Sequence, residues 1–222
     1  MSAHRLCLVH PVDPRVDPQD LVASRLRTVL AAKPADFSVL VVGVDARGDL
    51  ATGISSPVDV DGRRVDFLPL ARRGEGSFAA ALLRHLSAVR TAARAEIASL
   101  SVHDFTWVPL ARLVGRPIVL VVHRDPRAEA VAGRVPLTTA LRETLALRVA
   151  DRIIGCDVGF VHRCRDVHPV VAGKTELLAL ATGEDDGAVP LITEDARISR
   201  LWERHRRLFD AHAVHRGRPA AA

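Results

Sequence analysis

Residues 101–123 read SVHDFTWVPLARLVGRPIVLVVH, and this stretch decides the fold class. It opens on a short run, Ser101–Asp104, and closes on an apolar one, Ile118–His123. Both are too brief for helices, and the second is a continuous Val/Ile/Leu run, the pattern of a strand buried on both faces of a parallel sheet. Working outward, runs of the same kind recur at Leu6–Val12, Ser38–Asp45, Val65–Leu70, Arg152–Cys156 and Glu176–Ala181. Parallel strands need crossovers, and helical patterns fill the gaps. Asp17 and Pro18 form an N-cap and N1 pair before a face of Val22, Leu26, Val29 and Leu30. Phe78, Leu82, Leu86, Val89, Ala93 and Ile97 form a long helical stripe, and Leu137, Leu141, Leu145 and Val149 form another. The alternation predicts an α/β fold, a single Rossmann-like, doubly wound, mostly parallel sheet of about seven strands with right-handed crossovers.

Past the last strand the pattern changes. A Gly183 to Pro190 loop leads to Thr193, an N-cap for a C-terminal amphipathic helix with Ile198, Leu201, Trp202, His205, Leu208 and Phe209 on one side and Arg200, Arg204 and Arg207 on the other. The expected organisation is a domain over 1–192, a helix over 193–213 that packs on it, and a disordered tail over 214–222.

Composition narrows the class. At 222 residues, 48% hydrophobic and 26% charged, the chain buries a full core without staples, which excludes general disorder. No apolar run reaches the ~18 residues of a membrane span. Met1 to Leu8 lacks the apolar stretch of a secretory signal, so the expected location is cytoplasmic. Three cysteines, Cys7, Cys156 and Cys164, are an odd number at no framework spacing and read as reduced thiols. Of the net charge of +5, residues 194–222 hold +3, from seven Arg against four acids. Nucleic acid is not an expected partner, because the arginines are scattered and no Tyr is present to stack on bases.

Several motifs dissolve on inspection. Gly173-Lys174-Thr175 lacks the earlier glycine of a P-loop, where His168 stands. Gly74-Glu75-Gly76-Ser77-Phe78-Ala79 follows the third strand rather than the first and reads as a helix entry. Cys156, His162, Cys164 and His168 contain no Cys-x-x-Cys pair, so no metal is expected. The C-terminal ends of the strands, where open α/β sheets bind ligands, are more informative. They carry His10 to Arg15, His103-Asp104, His123-Arg124-Asp125 and Thr182 to Asp185. Imidazoles and carboxylates recurring at neighbouring edges suit a polyhydroxylated or phosphorylated ligand and can exchange protons near neutral pH.

On these residues the chain resembles the N-terminal domain of GT-B-fold glycosyltransferases, in particular the retaining group called family four. Ser101–His123 is similar to that family's strand, His-bearing loop, short helix and Pro-led strand ending in a second His. Ala150-Asp151-Arg152-Ile153-Ile154-Gly155-Cys156 resembles its Ala-Asp step into an apolar strand. Lys174 to Asp185 resembles its Lys-led strand ending in Asn-Gly-Val-Asp. Trp202 and its helix resemble the C-terminal helix that crosses back onto the N-terminal domain. The resemblance implies His103 and Asp104 as catalytic residues, with His123 and Arg124 binding substrate; the strand-edge reading adds His10, Asp13, Arg15, Gly183 and Asp185 as substrate-binding residues. The resemblance also implies a sugar or polyol acceptor, a nucleotide sugar as co-substrate and no other cofactor.

Two departures shape the expectation. The family's first loop is Gly-Gly, whereas Asp13 to Pro18 holds no glycine. No stretch of these residues matches the donor-binding Rossmann domain. The expected role is therefore an acceptor-side lobe that needs a donor-binding partner chain or a homo-oligomer. The alternative is a non-catalytic binding or scaffold protein that kept the fold. The basic face of the last helix adds the expectation of peripheral membrane contact.

Overall fold

The computed structural model describes residues 4–16, 21–94, 97–122, 137–156, 158–167, 169–178, 196 and 198–207. Eight strands form one sheet: β1 (His4–Val9), β2 (Phe37–Asp45), β3 (Ser56–Val60), β4 (Arg63–Arg72), β5 (Ile97–Val102), β6 (Ile118–Val122), β7 (Arg152–Gly155) and β8 (Thr175–Leu177). Their order is β3-β4-β2-β1-β5-β6-β7-β8, parallel throughout except for the β3–β4 pair. The chain winds outward from β1 through β2 to β4, then returns to β5 on the other side of β1 and winds the opposite way. Right-handed crossovers place the helices of the two halves on opposite faces.

The two cores show this. On one face α1 (Leu21–Ala31) buries Leu26, Val29 and Leu30 against Leu6, Leu8, Val39, Val41 and Phe67. On the other, α2 (Phe78–Arg84), α3 (Leu86–Arg94), α4 (Val108–Ala111), α5 (Leu137–Val149), α6 (Val158–Val167) and α7 (Pro169–Ala172) cover Cys7, Val9, Leu40, Val42, Leu100, Val102, Leu120 and Ile153. Strand residues alternate between the two cores with the period of two that a pleated sheet imposes. Cys7 and Cys164 are buried free thiols and Cys156 is half-buried. Burial pushes the Cys7 thiol up to about 12, so it stays protonated and unreactive.

The eighth strand is an addition to the expected seven. β3 (SPVDV) is short, and its Pro57 and Asp59 mask a strand pattern. It is joined to β4 by Asp61-Gly62, both at positive φ (50° and 76°), the two-residue turn whose twist matches antiparallel strands. The long helix expected over Phe78–Ile97 is two helices. The chain breaks at His85, whose N–H bonds back to Ala81 and Leu83 and whose ring lies against Gly53, and Ile97 opens β5. The Gly74–Ser77 stretch is a helix entry in which Ser77 accepts the Ala80 N–H.

The stripe on α5 is a correction. Leu137, Leu141 and Leu145 face outward, and Glu143, Ala146 and Leu147 face the core. Glu143 is paired with Arg163 of α6, and Ala146 and Leu147 join the buried core on that face. β8 is confined to Thr175–Leu177, with 179–181 of the expected strand outside the described residues, as are the Asp17-Pro18 cap, the 183–190 loop and the 214–222 tail.

The final helix, α8 (198–207), lies on the α1 face. Trp202 is buried edge-on to Phe37 at 4.9 Å and donates its indole N–H to the Val29 carbonyl at 3.2 Å. Ile198, Leu201 and His205 are buried beside it. Its arginines are engaged within the chain: Arg204 with Glu176, Arg206 with Asp36 and Glu203, Arg207 with Glu203. Among the described residues no helix is long and apolar enough to cross a membrane.

Candidate functional site

In an open α/β sheet the ligand crevice lies at the carboxyl ends of the strands, where the winding reverses. Here that point is between β1 and β5. Val9 pairs with Val102, so the next residues outward, His10 and His103, leave the sheet side by side from strands about 4.8 Å apart. Both imidazoles are enclosed, 5% and 6% exposed. His103 Nε2 lies 3.1 Å from the Ser101 hydroxyl, which is itself buried two residues earlier on the same strand face. That contact sets the orientation of the ring.

Asp104 is half-buried and organises its own loop. Its carboxylate accepts the Thr106 N–H at 2.8 Å and its carbonyl accepts the Trp107 N–H at 3.2 Å. The turn delivers Trp107 edge-on to Phe78 at 4.9 Å, tying the β5 loop to the start of α2. α4 then begins at Val108 with Pro109 in its first turn, where no N–H is missed.

The β1 loop is held differently. The His10 N–H bonds to the Val42 carbonyl, Val12 N–H folds back to the His10 carbonyl at 2.7 Å, and Val44 N–H reaches the Val12 carbonyl at 3.3 Å. The loop thus lies across β2 at Gly43, where a Cβ would stand 2.1 Å from the Val12 oxygen. The glycine absent from the loop sequence is supplied by the neighbouring strand.

Beyond Val12 the loop is pinned by charge. The Asp13 carboxylate accepts the backbone N–H of Arg15 and of Ala46, both at 2.9 Å, and two bonds from the Arg15 guanidinium at 3.0 and 2.9 Å. Arg15 also reaches Asp45 at 2.6 Å and Asp49 at 2.7 Å, and stacks 5.5 Å over the Phe67 ring. Asp45 accepts the N–H groups of Arg47, Gly48 and Leu50. The Asp13 and Asp45 side chains are fully enclosed and that of Arg15 is 8% exposed. Burial works to raise both carboxyl pKa values. It is outweighed at Asp13 by the bonds from Arg15 and Ala46, and at Asp45 by its backbone donors and the Arg15 charge, so both lie below the usual range. Hydrogen bonding to Asp13 foremost drives the Arg15 pKa up.

The structure therefore brings His10, His103 and Asp104 together at the crevice with Ser101, which sequence reasoning missed. Asp13 and Arg15 turn their charges inward onto Asp45 and Asp49, also missed, although Asp45-x-x-Gly48 is an Asx-turn signal. His123, Arg124, Gly183 and Asp185 lie outside the described residues. Among the described residues no three His, Cys, Asp or Glu side chains are grouped to hold a metal ion. Cys164 is buried beneath α6 while His162 on the same helix faces solvent. Chemically, the crevice offers two enclosed imidazoles, a hydroxyl and a carboxylate, groups able to hydrogen-bond a polar ligand and to move a proton.

No protein-family model matches the chain, and no curated protein matches it. Solved structures do. A sucrose-phosphate synthase chain from Thermosynechococcus elongatus is similar with a TM-score of 0.52 at 16% identity, over 92% of this chain and 99% of that one. The UDP-N-acetylglucosamine 2-epimerase of Rickettsia bellii is similar with a TM-score of 0.50 at 10% identity, over 79% of this chain and 44% of that one. Both are GT-B-type folds, and the likeness shows a Rossmann-type α/β fold for these residues.

Proposed function

We propose that a glycosyltransferase-like fold with this crevice is the acceptor-side lobe of a nucleotide-sugar-dependent glycosyl transfer system, completed by a donor-binding lobe from outside these residues. The observation that carries the reading is the side-by-side exit of His10 and His103 at the β1–β5 reversal. His103 and Asp104 are the groups nearest the transfer chemistry, with His10 holding an acceptor hydroxyl. The similarity to a sucrose-phosphate synthase chain, over 92% of these residues, supports a lobe of that kind of fold here.

Thermal shift with sugar phosphates and polyol phosphates as probes tests this, since a ligand of the folded state raises the melting temperature by mass action. Acceptor-type probes are expected to raise it, His103→Ala is expected to abolish the rise, and UDP- or GDP-sugars alone are expected to have no effect. Turnover of a nucleotide sugar by the chain alone would refute the split-lobe reading.

One observation favours a non-catalytic scaffold as the second reading: Asp13 and Arg15 spend their charges on each other and on Asp45. Under that reading His103→Ala leaves every probe response unchanged.

A further inference from the structure

Helix α5 is laid inside out. Its inner face carries Glu143, 1% exposed and ion-paired with Arg163 of α6, beside Ala146 and Leu147. Its outer face carries Leu137, Leu141 and Leu145 at 74%, 60% and 49% exposure. A helix on a free surface puts its charges outward and its leucines inward. Four-residue spacing makes the leucines a line about 12 Å long. Elsewhere among the described residues the large exposed apolar side chains, such as Leu83, Leu113 and Val158, stand singly, which is ordinary for any surface. Val170, 85% exposed, sits on α7, which packs against α5 and α6.

The charges of α5 at this face have one sign, Arg148 at the C-terminal end of the line and Arg142 to one side of it. Arg142 and Arg148 are exposed, and the only acid of α5 is the buried Glu143. A second copy docked antiparallel about a two-fold axis at Leu141 sets Arg142 against its own symmetry mate, which repels. A partner with carboxylates along its flanks pairs with both arginines instead.

We propose that the outer face of α5 is a docking surface for an amphipathic helix of another protein, with an apolar stripe flanked by acidic residues. The mode is helix against helix, with anchors at i, i+3 or i+4, and i+7. The proposal stands apart from the sugar-transfer reading, because none of these residues lines the crevice.

The test uses the whole chain and two synthetic 18-residue helical peptides with identical leucine stripes, one flanked by Glu and one by Lys, read by fluorescence anisotropy. The Glu peptide is expected to bind at least tenfold more tightly than the Lys peptide, and to weaken several-fold as NaCl rises from about 50 to about 500 mM. Leu141→Asp should lose at least tenfold of that affinity. Arg142→Glu with Arg148→Glu should reverse the preference between peptides. Both variants alter exposed positions and should keep the melting temperature, which circular dichroism checks. Equal binding of the two peptides, or none, overturns the proposal. So does a sedimenting dimer abolished by Leu141→Asp, or uptake onto phosphatidylglycerol vesicles abolished by it, since each assigns the face to another occupant.

Discussion

Replacing Arg15 by Met tests whether the β1 loop is held by charge. The substitution keeps the stem over Phe67 and leaves the enclosed Asp13 and Asp45 carboxylates without their shared cation. Removing one partner of a buried pair costs about 3–5 kcal/mol, because the remaining charge stays desolvated. At about 2–4 °C per kcal/mol for a chain of this size, the melting temperature should fall by roughly 6–20 °C at pH 7. The pH dependence discriminates further. In the native chain Asp13 and Asp45 have depressed pKa values, so their contribution is full above the unfolded value near 3.9 and is lost as pH falls through the folded values. Without Arg15, burial is opposed only by the backbone donors, and the folded pKa of the pair rises. The deficit of the variant relative to the native chain therefore narrows on acidification, by at most about 1.4 kcal/mol per pH unit for each carboxyl group. Urea midpoints at pH 7 and pH 5 measure both effects. A deficit under about 1 kcal/mol at pH 7, or two midpoints that fall in parallel with acid, would refute the account. Asp13→Asn added to the variant should recover part of the loss, and the shortfall from additivity measures the coupling.

Gly43→Ala drives a Cβ into the Val12 carbonyl, a backbone collision that no rotamer relieves. It should cost about 1–3 kcal/mol in thermal denaturation, more than Gly48→Ala, where φ is +74° but nothing lies within 4 Å. Burial holds the His205 imidazole down to about 4. The unfolded chain therefore takes up a proton near pH 6.5 that the folded chain refuses, and stability is lost as pH falls from about 6.5 towards 4, by up to about 3 kcal/mol. His205→Leu should flatten that part of the stability–pH curve, which denaturant titrations at pH 7, 6 and 5 measure. Trp202→Ala removes the ring packed on Phe37 and the bond to Val29, and urea denaturation should show a loss of about 3–5 kcal/mol.

The sequence makes the central strands legible because β2 and β6 are continuous apolar runs that no helix pattern imitates. β3 hides because an edge strand is allowed Pro57 and Asp59, yet its Asp61-Gly62 turn was readable from residue type alone. Periodicity also placed α5 as a helix and then misjudged its face, since Leu137, Leu141 and Leu145 share a stripe whichever way the helix turns. Its inner face pairs Glu143 with Arg163, twenty residues further on, a partner that no local pattern contains. At the crevice the His-bearing strand ends were visible, because a sheet edge is fixed by where the apolar run stops. The inward turn of Arg15 was not, because Asp45 and Asp49 are brought to it by the β1–β2 pairing, thirty and thirty-four residues away.

The antiparallel β3 closes one side of the sheet with an exposed proline, which has no N–H to offer an incoming strand. Among the described residues the opposite side ends in β8, three residues long and a short template for another chain. Both described margins are thus poor places for backbone pairing with a second sheet. The routes left for stable company run through side chains, over the helical layers or across the rim where β1 and β5 part.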